Sequence, residues 1–267
     1  MEQTKSNFEL FSGKIKITAY DLDPTQGQYI LENIHMEALR LEKIFNPYTE
    51  TSEIFELNKN KKIKPSIELF EMLSKSLELF EKFNKNTSSV AQNSLTADNI
   101  SISKDLIEIL DPMFNLELKN LSKGYIIDKL IHEMKDEAIV SGFIDAKGDL
   151  VIYGEMYEII EIPSSRNTNF EIIGIKLDNS SISTFRNKNH NYFSISVLAK
   201  TLLESEFYSK NLFDLDIDKI KLFSDKNSGI KIHILTNSDD EIDFNGFFNM
   251  ERKIKIRDNI IKTTHAS

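Results

Sequence analysis

The stretch Leu121-Ser122-Lys123-Gly124-Tyr125-Ile126-Ile127-Asp128 joins an expected strand to an expected helix through a lysine and a glycine. Residues 114–118 before it alternate apolar and polar side chains, which predicts a strand, and the apolar spacing from Ile126 onward predicts a helix. Gly124 would let the backbone approach a ligand closely, Lys123 supplies positive charge, and N–H groups at a helix start favour phosphate. The stretch therefore suggests an anion site, although a Lys-Gly pair taken alone is more often a plain turn with a solvated lysine.

Segments on both sides of this stretch strengthen the case for a ligand site. The upstream part has a helix end followed by a tyrosine, a Ser-Glu-Ile and a Leu-Asn. The downstream part has a strand, a glycine loop with an acidic residue, and further strands. The segments are, in chain order, Glu42, Phe45-Asn46-Pro47-Tyr48, Ser52-Glu53-Ile54, Leu57-Asn58, Phe143 to Leu150, Ser181-Ile182-Ser183-Thr184 and Val197-Leu198-Ala199.

In order and spacing, these segments resemble the ApbE-like family of FAD:protein FMN transferases, and the Lys-Gly-Tyr-x-x-Asp match at 123–128 is the most specific. The resemblance spans most of the chain. It implies an α+β / α/β fold, with a two-subdomain, ApbE-like (T-fold-related) architecture of mixed, largely antiparallel sheets and packed helices. Residues 1–267 would then form a single ApbE-like domain, with a flavin cleft between two subdomains.

The resemblance also implies that the protein binds FAD and, with Mg2+, transfers FMN to a serine or threonine of an acceptor flavoprotein. Lys123 would be the catalytic positive charge beside the pyrophosphate. The implied Mg2+ ligands are the carbonyl of Ser122 and the carboxylate of Glu204. The implied cofactor-binding residues are Tyr48, Ser52, Glu53, Asn58, Lys123, Gly124, Asp128, Gly148 and Thr184.

Several positions depart from the family pattern. The family has an Asp and a Thr four residues apart on a late helix, and the sequence places Lys200 and Glu204 there. A hard cation needs oxygen ligands, so a lysine cannot replace a carboxylate. Lys147 stands for the first glycine of a Gly-Gly pair, and Phe185-Arg186 stand for Ser-Gly. An active transferase would therefore use Glu204 or Glu206 for the metal. The alternative function is a catalytically degenerate flavin- or nucleotide-binding relative or scaffold that lacks transferase activity.

Composition argues against other classes of protein. The 267 residues carry a formal charge of −9, so no basic surface for nucleic acid is expected. No cysteine is present, which excludes disulfides and thiolate sites. No Walker-type loop, Gly-x-Gly-x-x-Gly or Gly-x-Ser-x-Gly motif occurs, and the histidines lack metal-binding spacing. Without an apolar membrane span, signal peptide or lipobox cysteine, the sequence as given predicts a cytoplasmic protein, and a periplasmic one only if a leader was removed.

Periodicity predicts the main elements of the fold. One amphipathic helix is predicted over 27–45, a second from Pro65 with its apolar stripe ending at Phe83, and a third over 195–207. Alternating or continuous apolar runs predict the strands. The predicted strands are 14–20, 100–102, 106–109, 114–118, 142–146, 150–153, 157–162, 171–177, 181–183 and 231–235.

Some acidic residues allow two interpretations. Asp145 and Asp149 flank a Lys-Gly pair, either in a ligand loop or at a hairpin tip with solvated charges. Asp128 either reaches a ribityl or ribose hydroxyl or complements the helix dipole. Glu204 and Glu206 either serve a metal or belong to a solvated acidic face.

Overall fold

The computed structural model describes residues 3–89, 95–116, 118–154, 158–163, 172–177, 179–187, 190–248, 254–257 and 260–261. The chain divides into two compact units, Met1–Ile139 (the N-terminal unit) and Val140–Ser267 (the C-terminal unit). Each unit combines helices with antiparallel strands, so the predicted α+β class is confirmed.

The N-terminal unit packs helices beside a hairpin and a small sheet. β1 and β2 form an antiparallel hairpin, and β3, β5 and β4 form an antiparallel sheet in that order. The strands predicted at 14–20, 100–102 and 106–109 are present. The elements are β1 (Gln3–Leu10), β2 (Gly13–Tyr20), α1 (Pro24–Phe45), α2 (Glu53–Asn60), β3 (Lys62–Ile63), α3 (Ile67–Thr87), β4 (Ile100–Ile102), β5 (Ile107–Ile109) and α4 (Lys119–Asp136).

α1 begins slightly before its apolar pattern because an aspartate caps it. Asp23 Oδ1 accepts hydrogen bonds of 3.0 Å from the N–H groups of Thr25 and Gln26. Gly27 faces β1, and a Cβ at this position would lie 2.7 Å from Thr4 Oγ1. The glycine therefore allows the first turn of α1 to pack directly against β1.

The core of the N-terminal unit lies among α1, α3 and α4. Most side chains of the apolar stripes predicted on α1 and α3 are buried, and Ile44, Phe70 and Leu77 are half-buried. Phe45 of α1 meets Tyr125 of α4 edge to face, with ring centroids 5.6 Å apart. The buried apolar side chains of the three helices include Ile30, Leu31, Ile34, Ala38, Leu41, Phe45, Leu69, Met72, Leu73, Leu79, Phe80, Phe83, Tyr125, Ile126, Ile127, Leu130, Ile131 and Met134.

The C-terminal unit is built on antiparallel strands. Six of them pair in the order β6-β7-β10-β11-β12-β13, and four others pair in the order β15-β14-β9-β8. α5 packs against β10 and β11. The elements are β6 (Gly142–Ala146), β7 (Asp149–Tyr153), β8 (Glu158–Pro163), β9 (Ile172–Leu177), β10 (Ser180–Arg186), β11 (Tyr192–Ala199), α5 (Leu202–Phe213), α6 (Ile217–Lys226), β12 (Lys231–Thr236), β13 (Glu241–Phe244), β14 (Ile254–Arg257) and β15 (Ile260–Ile261).

The helix predicted over 195–207 is wrong in its first half. Residues 195–199 belong to β11, and the late helix α5 starts only at Leu202. Val197, Leu198 and Ala199 are all buried, since successive side chains of this strand enter opposite faces of the sheet and both faces are covered. A short continuous apolar run of this kind does not distinguish a buried strand from a helix.

Candidate functional site

The segment that leads into α4 is extended without being a strand. Its described residues, 114–116 and 118, have no ladder partner, so the strand predicted over 114–118 is wrong for them. The side chain of Asn58 on α2 takes the place of a neighbouring strand. Asn58 Oδ1 accepts a 2.7 Å hydrogen bond from the Leu116 N–H, and Asn58 Nδ2 donates a 3.0 Å bond to the Leu116 carbonyl.

α4 starts earlier than predicted, and this moves the Lys-Gly pair. Ser122 donates from both its backbone N–H, at 2.8 Å, and its hydroxyl, at 2.9 Å, to the Leu118 carbonyl. Lys123 and Gly124 therefore lie in the second turn of α4, not ahead of the helix, and the N–H of Gly124 is not a free helix-start donor. The N–H groups that a helix leaves for an anion are those of its first turn, here residues 119–121.

Tyr125, which follows the Lys-Gly pair, connects α4 to α3. Its hydroxyl donates a 3.0 Å hydrogen bond to Glu71 Oε2, and Lys129 Nζ lies 2.7 Å from the same oxygen. Burial and the neighbouring Glu71 charge raise the pKa of Tyr125, which keeps the hydroxyl protonated as a donor. The hydrogen bond from Lys129 lowers the pKa of Glu71, which keeps the carboxylate ionised.

Lys123 and Asp128, the two charged residues of the Lys-Gly-Tyr stretch, both lie on α4. Both side chains are half-buried, whereas Gly124 and Ser122 are buried. Lys123 thus has part of its side chain at the surface of the N-terminal unit, near the start of α4. The binding of a pyrophosphate by Lys123 stays a prediction.

The Ser-Glu pair upstream organises the loop between α1 and α2. The buried Ser52 caps α2 by accepting a 3.0 Å hydrogen bond from the Phe55 N–H, and Glu53 Oε2 accepts a 2.8 Å bond from the Ser66 N–H at the start of α3. Tyr48, in the same loop, is 80% exposed. Ser52 and Glu53 therefore form hydrogen bonds within the protein, whereas the Tyr48 ring is exposed and accessible to a ligand.

The loop between β6 and β7 is a tight hairpin turn. Lys147 and Gly148 both have positive φ, 61° and 95°, and Asp145 Oδ1 accepts a 3.0 Å hydrogen bond from the Gly148 N–H. Positive φ at both central residues is typical of a two-residue turn. Lys147 thus adopts the left-handed conformation, and its side chain is exposed at the hairpin tip.

Thr184 lies in the second half of β10, which is longer than the strand predicted over 181–183. Its hydroxyl lies 2.8 Å from the hydroxyl of Ser196 on β11. On the adjacent β10 position, the Ser183 hydroxyl lies 3.1 Å from that of Ser209 on α5. Thr184 is half-buried. Its hydroxyl therefore takes part in pairing β10 with β11.

The position of α5 differs from the prediction, and this affects the residues that were expected to bind a metal. Lys200 precedes the helix, so the placement of Lys200 and Glu204 together on the late helix is wrong. Glu204 sits in the first turn, where the Thr201 hydroxyl accepts a 3.3 Å hydrogen bond from the Glu204 N–H and donates to its carboxylate at 3.4 Å. This Thr-x-x-Glu pair is a helix cap. The buried carboxylate of α5 is Glu206, 6% exposed, and Lys210 follows it by four residues.

These residues do not fit a Mg2+ ion. Mg2+ takes oxygen ligands in near-octahedral geometry, and a lysine ammonium one helical turn from the only buried carboxylate on α5 opposes it. Within the described parts of the chain, no group of three or more His, Asp or Glu side chains could hold a metal ion.

Solved structures with similar backbones provide the decisive comparison. A point mutant of the flavin transferase ApbE from Vibrio cholerae matches 94% of this chain and 100% of its own, with a TM-score of 0.76 and 12% identity. The ApbE protein from Thermotoga maritima also matches 94% of this chain and 100% of its own, with a TM-score of 0.75 and 14% identity. The chain has the fold of the ApbE flavin transferases.

Other comparisons agree with this fold or add nothing to it. The apo form of the flavinyl transferase ApbE from Pseudomonas stutzeri matches 93% of this chain and 97% of its own, with a TM-score of 0.76 and 13% identity. No protein-family profile and no curated protein sequence matches the chain. In the described residues of this ApbE-like fold, no helix is long and apolar enough to cross a membrane.

Sequence reasoning missed Glu71 in the N-terminal unit and Lys210 in the C-terminal unit. The Glu71 contact joins α3 to α4, so no pattern within either helix reveals it; only the four-residue spacing of Tyr125 and Lys129 hints at a shared partner. Lys210 escaped notice because the late helix was started too early. The Thr-x-x-Glu cap at Thr201 was the available signal for the true start.

Proposed function

We propose that this protein binds FAD as a relative of the ApbE flavin transferases. The observation that carries the proposal is the clamp of Asn58 on Leu116, which fixes the start of α4 and so places Lys123 at the surface of the N-terminal unit. The match to flavin transferase structures over nearly the whole chain supports the same ligand.

In this proposal, five residues of the sequence pattern have a physical task. Lys123 supplies a positive charge for the pyrophosphate, and the first-turn N–H groups of α4 add the favourable end of the helix dipole. The exposed Tyr48 ring is available to stack on an isoalloxazine or adenine ring. Ser52, Glu53 and Asn58 act by holding these groups in place.

Transfer of FMN to a serine or threonine of an acceptor flavoprotein is the finer proposal. Such a step forms a bond from the acceptor hydroxyl oxygen to the FMN phosphorus and breaks the pyrophosphate bond, so that AMP leaves and the hydroxyl proton passes to solvent. Charge on the phosphates must be neutralised as the leaving group departs. Lys123 is the group in this chain proposed for that task.

A second candidate is a FAD-binding protein that has lost the transfer step. The specific observation that favours it is on α5, where an exposed lysine follows the buried Glu206 by one turn and no suitable oxygen ligand does. Incubation of the protein with FAD and a candidate acceptor, followed by intact-mass measurement of the acceptor, distinguishes the two. An added FMN mass supports transferase activity, and an unchanged acceptor mass beside tight FAD binding favours the second candidate.

FAD binding itself is tested by the quenching of flavin fluorescence on titration with protein. Lys123→Ala is expected to weaken binding by about tenfold, the effect of losing one charge-assisted contact. Lys135→Ala is the matched control, since Lys135 is an exposed lysine near the other end of α4. Equal affinity of both variants with the unmodified protein would remove Lys123 from the site.

A further inference from the structure

α5 presents two carboxylates, and they have different environments. Glu204 is committed to the helix cap through its N–H and its Oε2, both bonded to Thr201. Glu206 lies in the middle of the helix and is 6% exposed. Of the two carboxylates of α5, Glu206 is therefore the one that is buried and takes no part in the helix cap.

The residue one turn after the buried carboxylate is unsuited to a hard cation. Four residues after Glu204 is Tyr208, whose ring packs against the Phe223 ring with centroids 4.9 Å apart. Its buried hydroxyl has no hydrogen-bond partner among the described residues. Four residues after Glu206 is Lys210, which is exposed in the last turn. On a helix, residues four apart share a face, so the Lys210 ammonium is displayed on the face that carries Glu206.

Lys210 also lacks an obvious partner of its own. Within the part of the chain that the structure describes, it makes no ion pair, although exposed lysines of α6 pair with Asp216 and Asp225. Its ordinary role would be to complement the C-terminal end of the helix dipole. A lysine anywhere in the last turn would serve that role, so the helix dipole does not explain why Lys210 lies on the same face as Glu206.

We propose that FAD binding by this chain does not require a divalent cation, and that the Lys210 ammonium supplies the positive charge that such a cation would otherwise bring to the α5 face. The proposal rests on the proposed binding of FAD. It predicts that replacing the lysine by a hydroxyl residue makes binding respond to metal.

Two measurements test the proposal independently of activity. The first is the FAD affinity of the full chain by calorimetry, in EDTA and in excess Mg2+. The second is the binding of Mn2+, followed by its electron paramagnetic resonance signal, with and without FAD. Each is made on the unmodified protein, on Lys210→Thr, and on Lys226→Thr as control, because Lys226 is an exposed lysine in the last turn of the neighbouring α6.

The unmodified protein and Lys226→Thr are expected to bind FAD with the same affinity, within about twofold, in EDTA and Mg2+, and to leave Mn2+ free. Lys210→Thr is expected to bind FAD about tenfold more weakly in EDTA and to recover part of that loss in Mg2+. Stoichiometric Mn2+ binding by the unmodified protein, or an affinity that rises with Mg2+, would overturn the proposal. So would a Lys210→Thr variant that matches the control in both measurements.

Failure of the proposed function gives a different result. If no variant binds FAD in either buffer, FAD is not the ligand. The Mn2+ measurement then decides alone, and bound Mn2+ in the unmodified protein overturns the inference about α5.

Discussion

The Tyr125 hydroxyl donates a hydrogen bond of 3.0 Å to Glu71 Oε2, and this contact joins the Lys-Gly-Tyr stretch of α4 to α3. The carboxylate is held on its other side by Lys129 at 2.7 Å. The tyrosine of the motif is therefore a structural group, buried to 1% exposure, and its ring is not available to a flavin. The half-buried lysine two residues earlier, Lys123, is the residue of the motif that we propose for ligand binding.

Removal of this hydroxyl is expected to destabilise the N-terminal unit moderately. Tyr125→Phe keeps the buried ring but loses a bond to an ionised acceptor, which costs about 1 to 2 kcal/mol. Urea denaturation followed by circular dichroism measures the change. Glu78→Gln, at an exposed position of the same helix as Glu71, should leave the midpoint unchanged. A Tyr125→Phe midpoint equal to that of the control would show that the bond contributes nothing.

The Asn58 clamp makes a sharper prediction because one side chain satisfies both backbone groups of Leu116. Asn58→Ala loses both bonds and is expected to cost about 2 kcal/mol. It should also speed amide exchange over residues 114–122, since the start of α4 is no longer held. Hydrogen exchange with mass spectrometry reads this out. Asn60→Ala, at the exposed end of α2, is the control, and equal exchange in both variants would contradict the role of the clamp.

Stability should depend on pH through Glu133. Burial, with the Glu37 charge as the second cause, raises the pKa of Glu133 to about 7. In the unfolded chain this carboxyl ionises near pH 4.3, about the ordinary value. As the pH rises between these values the unfolded chain releases its proton first, so the folded state loses stability up to about pH 7 and no further.

The neutral variant Glu133→Gln avoids this loss. Its unfolding free energy should exceed that of the unmodified protein at pH 8, and the difference should shrink at pH 5. Denaturant titrations at the two pH values measure it, with the exposed Glu137→Gln as control. A Glu133→Gln difference that does not change with pH would show that the carboxyl titrates normally.

The cap of α5 should contribute measurable stability. Thr201→Ala removes the side-chain acceptor of the Glu204 N–H and is expected to cost about 1 kcal/mol, whereas Thr201→Ser keeps the hydroxyl and should cost little. In a chain of this length, 1 kcal/mol corresponds to a fall in Tm of about 2 to 4 °C. Thermal melts of the two variants give the comparison. Equal melting of Thr201→Ala and Thr201→Ser would remove the hydroxyl from the cap.

Most helices and strands could be predicted from the sequence, but the first residues of α4 and α5, the helices that carry candidate site residues, could not. Long amphipathic helices such as α1, and short strands such as β4 and β6, follow directly from periodicity. The start of α4 was misplaced because its N-cap, Leu118, has no polar side chain to mark it. The strand expected before it is replaced by a side-chain clamp from a residue 58 positions away, which no local pattern encodes.

The late helix shows the same limit in another form. Leu198 and its neighbours in β11 are buried on both faces, and a run of this kind also suits a helix. Because the helix was predicted to begin at residue 195, Lys200 was assigned to a metal-ligand position. The four-residue spacing of Glu206 and Lys210 on α5 was therefore not recognised. Correct placement required the Thr201 cap and the pairing of β11 with β12.

The most direct test of the account is calorimetric titration of FAD into the purified full chain, once in EDTA and once in excess Mg2+. The account predicts saturable binding of one FAD with the same dissociation constant in both buffers. Absence of binding in both buffers would contradict the proposed function, and binding only with Mg2+ would contradict the role proposed for Lys210.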